Sequence, residues 1–391
     1  MWIILYLLVI FCSLTFIPAN VPDMFWIPKE MIYTLFGFSV IASTWIGRGN
    51  KRIVYKNLWA GILLIYIVAS FCWHFYSILM FPPAEQMIVK WWNLRPTLNI
   101  ILGLILIQTL VEYTDSLKRW IILSKVICWL CGIFSCYALL QWCGIDQIFG
   151  ASDIKFMNKQ PNKMQLMVTF MSNKFLTGCF LAMTAPLCLM FKNYKYKIIY
   201  GLSFLAICLT DTTTPLIAFI FSLVAYLIFF KRFKILSGLI VLGGIFLWWL
   251  TTIRVDFLSG TGRIPLWKNI ITIMIERDLG FLGNGIGSFG RNFSMDKLMA
   301  LSAHNEFIQM FWEGGIALLI IFVAYMIHLM IRSVKYLKSN YSTLFICYVC
   351  ALLSSLVVAF NGFPLRIAPL ALFMVLYITS LETQIQGENY L

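Results

Sequence analysis

Apolar positions dominate this chain in long blocks, and short charged or proline-containing segments separate them. The blocks lie near residues 1–17, 31–47, 58–80, 96–111, 121–142, 173–191, 198–210, 215–230, 235–252, 314–331, 342–360 and 367–382. Each approaches the ~20 residues with which a helix crosses ~30 Å of hydrocarbon, where only closed backbone pairing is tolerated. The pattern predicts an all-α, polytopic integral membrane protein of about twelve transmembrane helices. Nine helices fall in residues 1–252 and three in 314–391, and one large water-facing loop with short helices of its own spans 253–313.

Composition agrees with that reading. The chain is 61% hydrophobic and 12% charged, against about 45–50% and about 25% in ordinary globular domains. The start, MWIILYLLVIF, has no basic segment before its apolar run. This argues against a cleaved signal peptide and for a retained first span.

Charge sets the expected orientation. The linkers after the second, fourth, sixth, eighth and tenth blocks read GRGNKRIVYKN, EYTDSLKR, KNYKYK, KRFK and RSVKYLKSN. They hold half of the chain's 30 Lys and Arg in about forty residues, which predicts that they and both termini face the cytoplasm. Residues 18–30, 81–95, 143–172, 253–313 and 361–366 then share the outer side, with Lys155, Lys159 and Lys163 in 143–172. The net charge of +14 is accounted for by this asymmetry. No soluble face interleaves basic and aromatic residues, so a nucleic-acid partner is excluded, and membrane lipids are the expected surroundings.

Eleven cysteines include two CxxC pairs, Cys128 with Cys131 and Cys347 with Cys350. Both pairs sit inside apolar blocks, whereas a structural zinc site draws on accessible thiolates beside a soluble scaffold. They read as small buried residues.

Candidate chemistry gathers in the large loop. From Ile264 to Glu276 the loop is too short and too charged at its ends to span, and it predicts an interfacial helix. Asp278, Leu279 and Gly280 end it, and Gly283, Gly285, Gly287 and Gly290 follow. The run GIGSFG has the form GxGxxG but lacks the strand before and helix after that a dinucleotide site requires. It predicts a tight turn that brings backbone close to a helix or an anionic head group. His304, in SAHNEFIQ, is the one histidine placed on the outer side, His74 and His328 being inside apolar blocks. Two roles fit it: a general base titrating near neutrality, or a hydrogen-bonded residue at a helix start. Arg263 follows a glycine at the loop's opening, where its planar fork suits a phosphate or simply a solvated surface. Arg254, Arg291 and Arg366 share that side, and Glu306 stands two residues from His304, which on a helix points elsewhere.

The stretches GRIPLW, GFLGNGIGSFG and AHNEFIQMFWEGGI, from Arg263 to Gly315, resemble the signature region of the O-antigen ligase and O-antigen polymerase superfamily. Ten residues separate His304 from Gly315, the spacing seen in the ligases. MSNKFLTGCFLAMTAPL also resembles a span of that family. In LTDTTTPLIAF the family's arginine is replaced by Thr213. Either another outer arginine substitutes for it or the activity is changed.

The resemblance implies a GT-C-like membrane glycosyltransferase at the periplasmic face of a bacterial inner membrane. Its donor would be an undecaprenyl-pyrophosphate-linked glycan, and its acceptor a glycan or lipid A–core hydroxyl. His304 and Arg263 would be catalytic, and Arg254, Arg291, Arg366, Asn305 and Glu306 would bind substrate. Proton transfer and charge stabilisation of a lipid pyrophosphate leaving group demand a base and guanidinium groups. No metal or other cofactor is expected, since the loop has no close carboxylate pair. The spacing leans toward a ligase over a polymerase. A transporter or flippase of lipid-linked saccharides has the same composition, but such proteins place ionisable or helix-breaking residues at mid-membrane. Here Lys125, Lys174 and Asp211 fall near block ends.

Overall fold

The computed structural model describes residues 1–14, 26–48, 58–79, 86–113, 117–145, 174–210, 212–231, 263–276, 281–286, 288–289, 303–362 and 364–388. Among them are twelve α-helices and two 3₁₀ segments. The first five helices are α1 (Trp2–Leu14), α2 (Trp26–Arg48), α3 (Leu58–Leu79), α4 (Gln86–Tyr113) and α5 (Leu117–Trp142). Next come α6 (Lys174–Thr184), a 3₁₀ segment (Ala185–Met190), α7 (Tyr194–Leu209), α8 (Thr213–Phe229) and the loop helix α9 (Arg263–Glu276). The last are α10 (Glu306–Ser339), α11 (Thr343–Ala359), a second 3₁₀ turn (Pro364–Arg366) and α12 (Ala368–Glu388). The apolar block at 235–252 lies outside the described residues.

Three of these helices, α5, α10 and α12, are long and apolar enough to cross a membrane, and several shorter apolar helices accompany them. Large apolar side chains such as Ile3, Trp45, Ile65 and Ile327 stand exposed on the bundle surface. A water-facing monomer does not present such surface over so many helices, and lipid is the solvent that accepts it. The protein is a membrane-embedded helical bundle. Helix α12 sits at its centre, against α1, α2, α4, α6, α10 and α11.

Many polar groups inside the bundle are tied internally, as a low-dielectric surrounding favours. Ser124, Ser135, Ser203 and Ser355 each donate to the carbonyl four residues back. Ser135 also meets Ser203 at 2.9 Å, and Ser124 meets Tyr348 at 2.9 Å. Cys128, Cys131, Cys347 and Cys350 are fully buried among these contacts, and all eleven cysteines are free thiols.

The sixth apolar block is not one helix. Pro186 has no N–H to offer Ala182, so α6 stops at Thr184 and tightens into the 3₁₀ segment. The carbonyl of Ala182 accepts from Ser354 at 2.8 Å, and that of Met183 accepts from Tyr377 at 3.0 Å. The proline break thus pins α6 to α11 and α12.

The tenth block is likewise interrupted. Helix α10 runs from Glu306 to Ser339, but Gly315 has φ 65° and ψ −173°, which divides it. At this break the carbonyls of Trp312 and Glu313 lose their helical donors. Asn284 N and Gly285 N donate to them at 3.0 and 2.8 Å, while Ala317 N donates to Phe281 O at 3.3 Å. Tyr66 of α3 donates to the Gly314 carbonyl. The glycine-rich turn therefore staples a broken helix. A Cβ on Gly315 would overlap the Phe281 carbonyl oxygen, and one on Gly283 would overlap the Gly315 nitrogen. The close backbone approach expected from the glycines is made against α10.

Candidate functional site

His304 precedes the first turn of α10 in a left-handed conformation, φ 50°. That is uncommon without a glycine and persists only where the surroundings hold it. The residues on either side are held firmly. The Ala303 carbonyl accepts from the Trp267 indole at 2.8 Å, and Ala303 N donates to Gln309 Oε1 at 3.3 Å. Asn305 is the N-cap: its Oδ1 accepts from Ile308 N at 3.0 Å, and its Nδ2 donates to Phe360 O at 2.8 Å. Beneath this segment lies a small apolar core of Ile270, Met274, Phe289, Ala303 and Trp312. The loop helix thus buries one face against the His304 segment, while Ile264, Ile271 and Ile275 stand exposed on another.

Arg263 is the first residue of α9 and reaches the turn after α11. Its Nη1 donates to the Asn361 carbonyl at 2.8 Å and to Asn361 Oδ1. The guanidinium lies 5.2 Å from the Phe175 ring centroid, a cation–π contact with α6. Asn361 Nδ2 donates in turn to Thr214 Oγ1 at the start of α8. Four segments distant in sequence thus converge on one cation.

The Arg263 charge is felt at His304. Burial, followed by that charge, lowers the His304 pKa below its usual 6.5, so the imidazole is neutral at physiological pH. Burial also lowers the pKa of Arg263 itself, but a guanidinium stays protonated throughout the working range. A neutral imidazole beside a fixed cation can take a proton while an anion is held close by.

Arg366 and Glu306 have a different place from the one expected of substrate contacts. Arg366 Nε donates to Glu306 Oε1 at 3.0 Å, Nη1 donates to Glu313 Oε1 at 3.3 Å, and Nη2 lies 3.0 Å from Glu313 Oε2. All three side chains are buried. Gln309 donates to Glu313 at 3.2 Å, and Asn99 donates to the Arg366 carbonyl at 3.3 Å. These groups brace the first half of α10 against the turn before α12, and Asn305 is likewise occupied with protein partners. Arg254 and Arg291 lie outside the described residues.

Sequence reasoning missed Glu313, Gln309, Asn361 and Thr214. Glu306, Gln309 and Glu313 fall at i, i+3 and i+7, one polar stripe on an apolar helix, which marks a buried partner. Asn361 carries no comparable local signal.

Below the ion group, a small apolar cavity of about 50 Å³ lies between α3, α4, α10 and α12. Leu63, Ile107, Phe322 and Val375 line it, while Asn99 and Arg366 are its polar members. Among the described residues, no group of three or more His, Cys, Asp or Glu is arranged to hold a metal ion.

No protein-family model matches the chain, and a search of curated proteins finds no significant match. The fold and this polar end define the class: a membrane-embedded helical protein with an ordered His–Arg site beside buried ion pairs.

Proposed function

We propose that the protein is a membrane glycosyltransferase of the O-antigen ligase type. It transfers a glycan from an undecaprenyl-pyrophosphate donor to a sugar hydroxyl at the periplasmic face of the inner membrane. The observation that carries this reading is the pairing of a neutral, conformationally held His304 with the fixed cation of Arg263. His304 takes the proton of the acceptor hydroxyl, whose oxygen bonds to the anomeric carbon. The bond from that carbon to the pyrophosphate breaks, and its electrons leave with the lipid pyrophosphate toward Arg263. His304 then releases its proton to water.

A deletion strain tests the proposal directly. It should accumulate long lipid-linked glycan and leave the acceptor uncapped. Single repeat units in place of long glycan would point instead to polymerisation. Unchanged surface glycan would overturn the reading. Transfer by the purified protein is expected to persist with a strong chelator present, and its rescue by magnesium or manganese would contradict the metal-free chemistry.

A further inference from the structure

The two described arginines at this end of the bundle are held in opposite ways. Arg366 faces two carboxylates, which compensate its charge. Arg263 is gripped as firmly, but by an amide oxygen, a backbone carbonyl and an aromatic ring, none of which carries a charge. Among the described residues no carboxylate bonds it. A half-buried cation with neutral partners keeps its full attraction for an anion.

We infer that Asn361 is the positioning residue of the site, holding Arg263 in place for a phosphate-bearing substrate while leaving its charge uncompensated. The inference rests on the proposed function and adds a requirement to it: position 361 must be both a hydrogen-bond acceptor and neutral. Thr214 completes the device. By accepting from Asn361 Nδ2 it turns Oδ1 toward Arg263. Thr214 adjoins Thr213, where the resembling family carries an arginine, so this chain uses the start of α8 to orient the Arg263 cation.

The substitution that discriminates is Asn361→Asp. A carboxylate has the same shape and accepts from Arg263 more strongly, and although it cannot donate to Thr214 as the amide does, the Thr214 hydroxyl can rotate to donate to it. The carboxylate also occupies the cation that a phosphate would seek. Binding of undecaprenyl pyrophosphate to purified protein in nanodiscs gives a readout independent of glycan identity. Asn361→Asp is expected to weaken that binding about a hundredfold, as competing charge at a buried site does, with thermal stability unchanged or raised. Asn361→Ala loses a hydrogen bond to a charged group and should weaken binding about tenfold. Thr214→Val should weaken it by about three-fold, by releasing the amide's orientation. In turnover assays the Asp variant should raise the donor KM far more than it lowers kcat.

Wild-type affinity in a well-folded Asn361→Asp protein would overturn the positioning role and leave the proposed function standing. Absence of lipid pyrophosphate binding by the wild type would overturn both.

Discussion

His304 is a single side chain whose protonation state and backbone are both set by its neighbours. Burial and the Arg263 charge each disfavour the imidazolium, so the folded-state pKa lies below 6.5. On the proposed mechanism the neutral form, which acts as the base, therefore persists as pH falls through 6.5, and kcat/KM for the donor, which reports the unliganded protein, should decline only in more acid solution. Arg263→Ala removes one of the two causes, which raises the His304 pKa and moves the acid limb to higher pH. An acid limb unmoved by Arg263→Ala, or one already at the ordinary histidine pKa in the wild type, would contradict this coupling. His304→Ala should lower turnover by about 10²–10⁴-fold, the usual worth of general acid–base catalysis, with lipid pyrophosphate binding nearly intact. Normal transfer by a well-expressed variant would return His304 to a purely structural role.

Helix α10 is two helical pieces joined at Gly315, and its cohesion comes from partners elsewhere. Gly315→Ala and Gly283→Ala each force a Cβ into backbone at a positive φ. Each should cost about 3 kcal/mol or more, read as a sharp fall in melting temperature and membrane abundance. Gly201 in α7 has open space where a methyl group would project, so Gly201→Ala should be neutral or slightly stabilising. The ion group behaves similarly to the glycine break. Arg366→Met strands Glu306 and Glu313 in a buried setting and should cost about 3–5 kcal/mol. Adding Glu306→Gln and Glu313→Gln should recover much of that loss in thermal unfolding. Failure of the triple variant to recover would mean that Arg366 contributes mainly by packing.

Across the whole molecule, what was legible in the sequence is what local pattern controls. The apolar blocks located the described helices but not their ends, α4 beginning at Gln86 against an expected 96 and α10 running Glu306–Ser339 against 314–331, while the loop helix expected from Ile264 is observed from Arg263. The Pro186 break could have been read from the proline itself. The pairing of Arg366 with Glu306 and Glu313, and of Asn361 with Arg263 and Thr214, was not legible, because those contacts join residues 53 to 147 positions apart. Lys and Arg asymmetry predicts which face is which, at about 1 kcal/mol per basic residue near an anionic leaflet. A reporter active only outside the cytoplasm should work when fused after Phe289 and be silent after Asn340. The reverse pattern would invert the orientation and remove the case for an external site.

The stapled break in α10 also sets a sequence of events in biogenesis. The turn at 281–286 is synthesised before Trp312 and Glu313, yet its N–H groups find their acceptors only once both have emerged and the lower half of α10 has inserted. Until then those two carbonyls need water, which holds the first half of α10 out of the hydrocarbon. Closure of the turn therefore waits on the first half of α10. The His304 segment heads that same half-helix, and Arg263 beside it finds its Asn361 partner only after α11 has been made.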